Sequence, residues 1–353
     1  MSKVKVAVLG ATGMIGQRFV QLLEDHPRFE IAGLYASERS EGKRLREALK
    51  VRDHPYREDT LDMRIEAMDP AAIARAARVA FSGLPSDIAG EIETKLAGEG
   101  VAVFSNAANH RMDADVPLLI PECNPDHLDM VRQQPTFADG GYIVTNANCS
   151  TTGIALPLKA LDQAFGLELA VASTYQAVSG AGYPGVPSLD ILGNVVPYIK
   201  NEEEKMETEL AKILGTVRDG RFVNAPVQML VNCARVPVID GHLESLVLRL
   251  RREATTAEVV AAMEQFRSEP QRLDLPTAPQ RPVIVRPEPD RPQPALDVNA
   301  GEPARARGMS AVVGRVRKKD NYIKMFVLSH NTLRGGAGGS VLNAELADAK
   351  GLL

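Results

Sequence analysis

The sequence predicts an α/β protein: a parallel, helix-covered sheet with a nucleotide site, followed by a second region that carries the chemistry. Three observations predict it. Strand-like and helix-like segments alternate through the first 105 residues, a glycine-rich turn joins the first strand to the first helix, and near residue 142 the text changes to a polar cysteine turn. Alternation of this kind implies right-handed crossovers and a parallel sheet covered on both faces.

The elements follow in order. Lys3–Leu9 is a short β-branched run, and the apolar grouping Phe19, Val20, Leu22 and Leu23 predicts a helix that stops near Pro27. Phe29–Tyr35 is the second strand. Ala71–Ala77 reads as helix, Val79–Ser82 as strand, Ala89–Ala97 as helix and Val101–Ser105 as strand. Tyr142–Asn146 is a strand, after which NCSTTG turns into an apolar helix in which Pro157 predicts a kink. Leu169–Tyr175 and Leu246–Arg251 read as strands, Asn201–Leu214 and Thr256–Phe266 as helices. Residues 268–305 hold nine of the 23 prolines and read as an extended excursion with one short strand at Val283–Val285. Ala311–Val316 and Tyr322–Leu328 resume strand patterning, and a glycine-rich turn leads into a terminal helix.

Composition bounds the function. At about 100–200 residues per domain, 353 residues suggest two domains. The net charge of −4 argues against a nucleic-acid surface, which needs a clustered basic excess. No apolar run reaches the length of a membrane span, and the N-terminus has no leader pattern, so a soluble cytoplasmic enzyme is expected. Three widely spaced cysteines, Cys123, Cys149 and Cys233, fit neither a disulfide framework nor a metal site.

GATGMIG places Gly10, Gly13 and Gly16 in a G-x-x-G-x-x-G pattern after the first strand. A tight turn there brings backbone N–H groups and a helix N-terminus up to a pyrophosphate, although such turns also serve only to pack helix on strand. After the second strand, Ser37, Arg39 and Ser40 surround Glu38, a setting that suits a 2′-phosphate and points to NADP over NAD. Cys149, in Asn148–Gly153, opens a helix, where the positive dipole end is expected to lower the thiol pKa and backbone N–H groups can hold an oxyanion. Cys123 and Cys233 read as buried small hydrophobes. Cysteine chemistry beside a nicotinamide needs a base, and six histidines are available. His242, on a glycine-containing turn in RVPVIDGHLE, is the candidate, and Arg235 can pair with a substrate carboxylate or form a surface salt bridge.

These strings, together with ASERSEGK, SGLPSDIA, SNAANHRM, PLLIPECN, TNANCSTTG, QAVSGAGYPGVPSLDILGNVVPYI, EEEKMETELAKILG and GGAGGSVLNAE, resemble the aspartate-semialdehyde dehydrogenases of the archaeal and fungal type over nearly the whole chain. The resemblance implies a Rossmann-type NADP-binding domain over residues 1–147, completed by the terminal helix at 331–353. It implies a catalytic and dimerisation domain over 148–330, α+β and like that of glyceraldehyde-3-phosphate dehydrogenase. It also implies that Cys149 is the nucleophile, His242 the acid/base, and Gln176 the residue that orients the acyl intermediate. Arg235 would hold the substrate carboxylate and Glu202 its ammonium group, with Arg111, Lys205 and Asn148 on the phosphate. Cofactor contacts are implied at Gly10, Thr12, Gly13, Met14, Ile15, Gly16, Ser37, Arg39, Ser40, Ser82, Leu84, Ser179, Gly180 and Asn331.

The implied reaction is NADPH-dependent reductive dephosphorylation of L-4-aspartyl phosphate to L-aspartate 4-semialdehyde, on the way to lysine, methionine and threonine. A homodimer or homotetramer is implied, and no metal. The rival readings are a malonyl-CoA or succinyl-CoA reductase, an N-acetyl-glutamyl-phosphate reductase, and a non-catalytic NADP-binding regulator. The stretch at 288–307 departs from the family through its Arg-rich segment EPARARG.

Overall fold

The structure is a computed structural model that describes residues 2–51 and 53–353. Strands β1 (Val4–Leu9), β2 (Phe29–Ala36), β3 (Ile65–Ala67), β4 (Val79–Ser82), β5 (Ala102–Ser105), β6 (Leu118–Leu119) and β7 (Tyr142–Asn146) form one sheet in the order β3-β2-β1-β4-β5-β7-β6. All its pairings are parallel. Strand order reverses beside β1, which opens a crevice at the carboxyl ends of the strands; ligands bind there in doubly wound sheets. Helices α1 (Met14–Leu23), α2 (Pro70–Ala76) and α3 (Ser86–Gly98) supply crossovers. Every residue of β4 and β5 is buried, as two covered faces require.

The second sheet is mixed. Strands β8 (Leu167–Gln176), β11 (Gln228–Arg235), β12 (His242–Leu250), β13 (Val283–Arg286), β14 (Ala311–Lys319) and β15 (Tyr322–Ser329) lie in the order β11-β8-β12-β15-β14-β13. Between β8 and β11 a small hairpin joins β9 (Thr216–Arg218) to β10 (Arg221–Val223) through Asp219 and Gly220, both in the left-handed region. One face of the mixed sheet packs against α4 (Cys149–Phe165), α5 (Glu202–Ile213) and α6 (Thr256–Gln265) around a core that includes Ile154, Leu158, Met206, Leu210, Leu246 and Val259.

The kink expected at Pro157 does not break α4, which runs unbroken through Phe165. Residues 150–158 are all buried, so packing on both halves holds the helix together despite the lost N–H. His242, expected on a turn, is the first residue of β12; the turn is the preceding Gly241 at φ +99°.

Helix α7 (Gly338–Ala349) returns to the first sheet. Val341, Leu342, Leu346 and Ala347 share a core with Val8, Phe81, Phe104 and Val144. The buried His26 Nε2 lies 2.8 Å from Glu345 Oε1, while its Nδ1 accepts the Arg28 and Phe29 N–H groups. The 268–305 excursion packs in part on this same core through Leu275 and Ala278. Within EPARARG, Arg305 donates to the carbonyls of Leu22 and Asp25 at the end of α1. That is a favourable place for a cation. Among the described residues no helix is long and apolar enough to cross a membrane.

Candidate active site

The register of three strands brings the predicted residues together. Gln176 pairs with Arg235 across β8 and β11, and His242 opens β12 opposite Ser329 of β15, so their ends converge at one edge of the mixed sheet. Helix α4 crosses that edge with Cys149 as its first residue. Asn148 is the N-cap: its Oδ1 accepts the Ser150 and Thr151 N–H groups at 3.0 and 3.1 Å. The Cys149 Sγ lies 3.2 Å from His242 Nε2. The Ala177 N–H donates to His242 Nδ1 at 3.0 Å.

A cavity of about 430 Å³ opens between the two sheets. Cys149, Asn148, Arg111, Glu202, Lys205 and Arg235 line it, as do Met14 and Ile15 from the glycine-rich turn and Ser179, Gly180 and Asn331. Arg235 Nη1 donates to the Ala177 carbonyl at 2.8 Å. Glu202 accepts from Asn148 Nδ2 at 2.8 Å, and Lys205 Nζ stands 3.8 Å from Glu202. Arg111, expected on a phosphate, is buried and paired with Glu209 at 2.8 Å. Glu209 also accepts the Asn148 N–H. Lys212 fastens this corner by donating to the carbonyls of Arg111, Asp113 and Val116; burial pulls its ammonium down to about 8.

Gln176 is buried, and its amide donates to Thr174 Oγ1 and lies by the Cys233 sulfur. Asn331 joins two segments: its amide donates to Ser179 Oγ and its carbonyl accepts the Gly241 N–H.

Gly10 has φ +73°, and a Cβ on Gly16 would sit 2.0 Å from the Gly10 carbonyl oxygen. The turn is therefore as tight as a backbone cradle for a pyrophosphate requires, and α1 begins there with Gly13 as a cap that has no side chain. Thr12 lies in the same turn. Ser37 and Arg39 are exposed and Ser40 half-buried just past the carboxyl end of β2, where an adenosine 2′-substituent would reach. These residues fit a bound NADP. Ser82 and Leu84 are buried, and the Ser82 hydroxyl is committed to Glu93 at 2.6 Å.

Two residues that shape the site lie in strings that carry the resemblance but have no role predicted from the sequence. Asn106 lines the cavity and is held by Asn146, and Gly335 lies so close that a Cβ would meet Cys149 Cα at 2.7 Å. Their partners are far away in the chain.

The helix N-terminus that favours a thiolate at Cys149 is opposed by burial. Burial, with the Glu202 carboxylate adding to it, pushes Cys149 up to about 12. Burial also holds His242 well below the usual imidazole range, with Arg235 and His330 adding to the effect, so the pair rests as thiol and neutral imidazole. Because the thiolate is the reactive form, alkylation of Cys149 by iodoacetamide should rise about tenfold per pH unit from 7 to 9.5 without levelling. A plateau near neutral pH, followed by mass spectrometry of the half-buried Cys149 against buried Cys123 and Cys233, would show a thiolate already present.

A glycine-rich nucleotide turn that lines the same cavity as a cysteine backed by a buried histidine fits a nicotinamide-dependent dehydrogenase that works through a thiol. Residues 5–131 match the family model "Semialdehyde dehydrogenase, NAD binding domain", and residues 158–334 match "Semialdehyde dehydrogenase, dimerisation domain". The aspartate-semialdehyde dehydrogenase of Archaeoglobus fulgidus is 47% identical over 344 residues, 97% of each chain. That of Schizosaccharomyces pombe is 43% identical over 99% of each chain. The crystal structure of aspartate semialdehyde dehydrogenase with NADP from Candida albicans superposes with a TM-score of 0.90 at 40% identity, covering all of both chains. The chain belongs to the aspartate-semialdehyde dehydrogenase family.

Proposed function

We propose that the protein reduces L-4-aspartyl phosphate to L-aspartate 4-semialdehyde with NADPH, releasing phosphate, in the supply of lysine, methionine and threonine. The observation that carries the reading is the shared cavity: Cys149 Sγ stands 3.2 Å from His242 while Met14 and Ile15 of the cofactor turn line the same space. Cys149 forms the acyl thioester, and His242 partners its sulfur. NADPH, when bound along the glycine-rich turn, supplies the hydride.

Arg235, whose planar fork suits a carboxylate, holds that end of the substrate, and Glu202 faces its ammonium group. Lys205 and Arg111, with Asn148, attract the phosphate. The Arg111–Glu209 pair makes this a site that exchanges one anion for another rather than a free cation. Gln176 orients the acyl group by turning its amide from Thr174. Thr12, Ser37, Arg39, Ser40, Leu84, Ser179, Gly180 and Asn331 line the path of the cofactor, and Ser82 serves it through the backbone.

Residues 1–147 with 331–353 form the nucleotide domain and 148–330 the catalytic one. The chain works as a homodimer or homotetramer in the cytoplasm. The exposed Tyr175 and Leu230 on the open face of the mixed sheet support a subunit contact there.

The deciding experiment runs the reaction backwards: purified protein with aspartate semialdehyde, phosphate and NADP, following NADPH, with Cys149→Ala beside it. NADPH formation that needs phosphate and falls by about 10⁴-fold or more in the variant is expected. Formation that needs coenzyme A and ignores phosphate overturns the substrate assignment.

A further inference from the structure

Both cations of the phosphate corner already have a carboxylate. Arg111 Nη1 donates to Glu209 Oε1 at 2.8 Å, and Lys205 Nζ stands 3.8 Å from Glu202 Oε2. Glu202, Lys205 and Glu209 fall at i, i+3 and i+7 of α5, so one helix face delivers both carboxylates and one of the cations. Two cations against two carboxylates leave the corner without net charge before an anion enters it. A site built only to bind phosphate would leave its cations free.

A structural role does not account for Glu209. It is 2% exposed and Arg111 8%, and an ion pair at that depth costs desolvation and is a weak source of stability. The loop that carries Arg111 is held without it. Lys212, three residues further along α5, donates to the carbonyls of Arg111, Asp113 and Val116, and Arg111 Nη2 donates to the Asn106 carbonyl at 2.8 Å. Arg111 Nε is buried and has no hydrogen-bond partner among the described residues. The guanidinium thus keeps one N–H for a phosphate oxygen while Glu209 holds another. The second Glu209 oxygen accepts the Asn148 N–H at 2.7 Å, directly before the nucleophile. That N–H needs only an acceptor, whereas Arg111 is held by charge.

We propose that Glu209 is the internal anion that competes with phosphate for Arg111, so that phosphate leaves once the acyl thioester has formed. The proposal rests on the acyl-phosphate reading above. In the intact acyl phosphate the phosphoryl group is tethered to a substrate whose carboxylate and ammonium ends bind at Arg235 and Glu202, and a corner without net charge suffices to place it. After transfer to Cys149 the tether is gone and phosphate is held by the corner alone. Glu202 stays engaged by the substrate ammonium group, so Glu209 is the carboxylate left to reclaim a cation. It is a positioning residue that acts on phosphate through Arg111.

Glu209→Gln separates its two duties, because the amide oxygen still accepts the Asn148 N–H while the charge is gone. In the reverse reaction the KM for phosphate should fall by about tenfold or more, since a buried cation relieved of its carboxylate pulls harder on an anion. The KM for aspartate semialdehyde should not fall with it. Binding of radiolabelled inorganic phosphate, followed by equilibrium dialysis without substrate or cofactor, should tighten by the same factor. Phosphate binding that is equal or weaker in the variant overturns the proposal, because Glu209 would then serve only to hold Arg111 in place. So does an absence of phosphate binding in both proteins.

Should Glu209→Gln not fold, the wild-type protein decides. Its infrared difference spectrum, saturated with phosphate minus free, should show a carboxylate stretch that shifts as Glu209 gives up Arg111. The shift should persist in Lys205→Met, which removes the partner of Glu202. A flat carboxylate region, or a shift that vanishes in Lys205→Met, overturns the proposal. A wild-type protein that forms no NADPH from aspartate semialdehyde would instead sink the substrate reading and leave the phosphate-binding result standing.

Discussion

Arg334→Met is expected to lower stability by about 3–5 kcal/mol, the cost of leaving a buried carboxylate unpaired. Arg334 and Glu122 are joined by two parallel bonds of 2.8 and 2.6 Å, and both side chains are excluded from solvent. The geometry satisfies both oxygens, so the loss falls on Glu122 once the guanidinium is gone. The double variant Glu122→Leu with Arg334→Met should recover most of the stability, because the penalty belongs to the orphaned charge and not to the missing attraction. Urea unfolding of the three proteins would check this, and an Arg334→Met midpoint equal to that of the wild type would refute it. Activity should fall as well. Arg334 precedes Gly335, the residue that walls Cys149, and a loosened segment lets the nucleophile drift.

Gly16→Ala should weaken NADPH binding by on the order of 10²-fold, as a displacement of about 1 Å in a positioned group can. The added methyl would lie 2.0 Å from the Gly10 carbonyl oxygen and 2.7 Å from Ala11 Cα, both backbone atoms that no rotamer change can move. The turn must open or α1 must slide, and either takes the helix N-terminus off the pyrophosphate. Stability should drop by about 1–3 kcal/mol from overpacking. Gly98→Ala is the control: nothing lies within 4 Å of its Cβ position, and its binding should be unchanged. Titration calorimetry with NADPH separates the two, and full affinity in Gly16→Ala would mean that the turn is not the cofactor cradle.

Much of this site was legible in the sequence because its key residues carry local signals. Gly10, Gly13 and Gly16 sit where a strand meets a helix, and Asn148 before Cys149 is a helix start. Burial left no such mark. The dipole argument for Cys149 used only its neighbours in the chain, whereas Glu202 and the surrounding core, which decide its protonation, arrive from elsewhere. Ala177 was invisible for a related reason: its contribution is a backbone N–H, which any residue but proline would supply. In the fold, β11 was missed because exposed Leu230 places an apolar side chain on the outer face and hides the alternation of Met229, Val231 and Cys233. The hairpin at 216–223 had a readable signal in Asp219–Gly220, an Asp-Gly pair suited to a tight turn.

The return of α7 to the first sheet sets an order of assembly. A ribosome making the chain completes β1 to β7 long before it reaches Gly338. At roughly 5–20 residues per second, synthesis of the stretch between takes on the order of 10–40 s. During that time the sheet face formed by Val8, Phe81, Phe104 and Val144 lacks the helix that covers it in the finished protein. The mixed sheet can form from its own strands while the first sheet still waits for its last covering helix. A nascent chain caught in that interval leaves an apolar sheet face open to solvent. The first half to be made is thus the last to be finished.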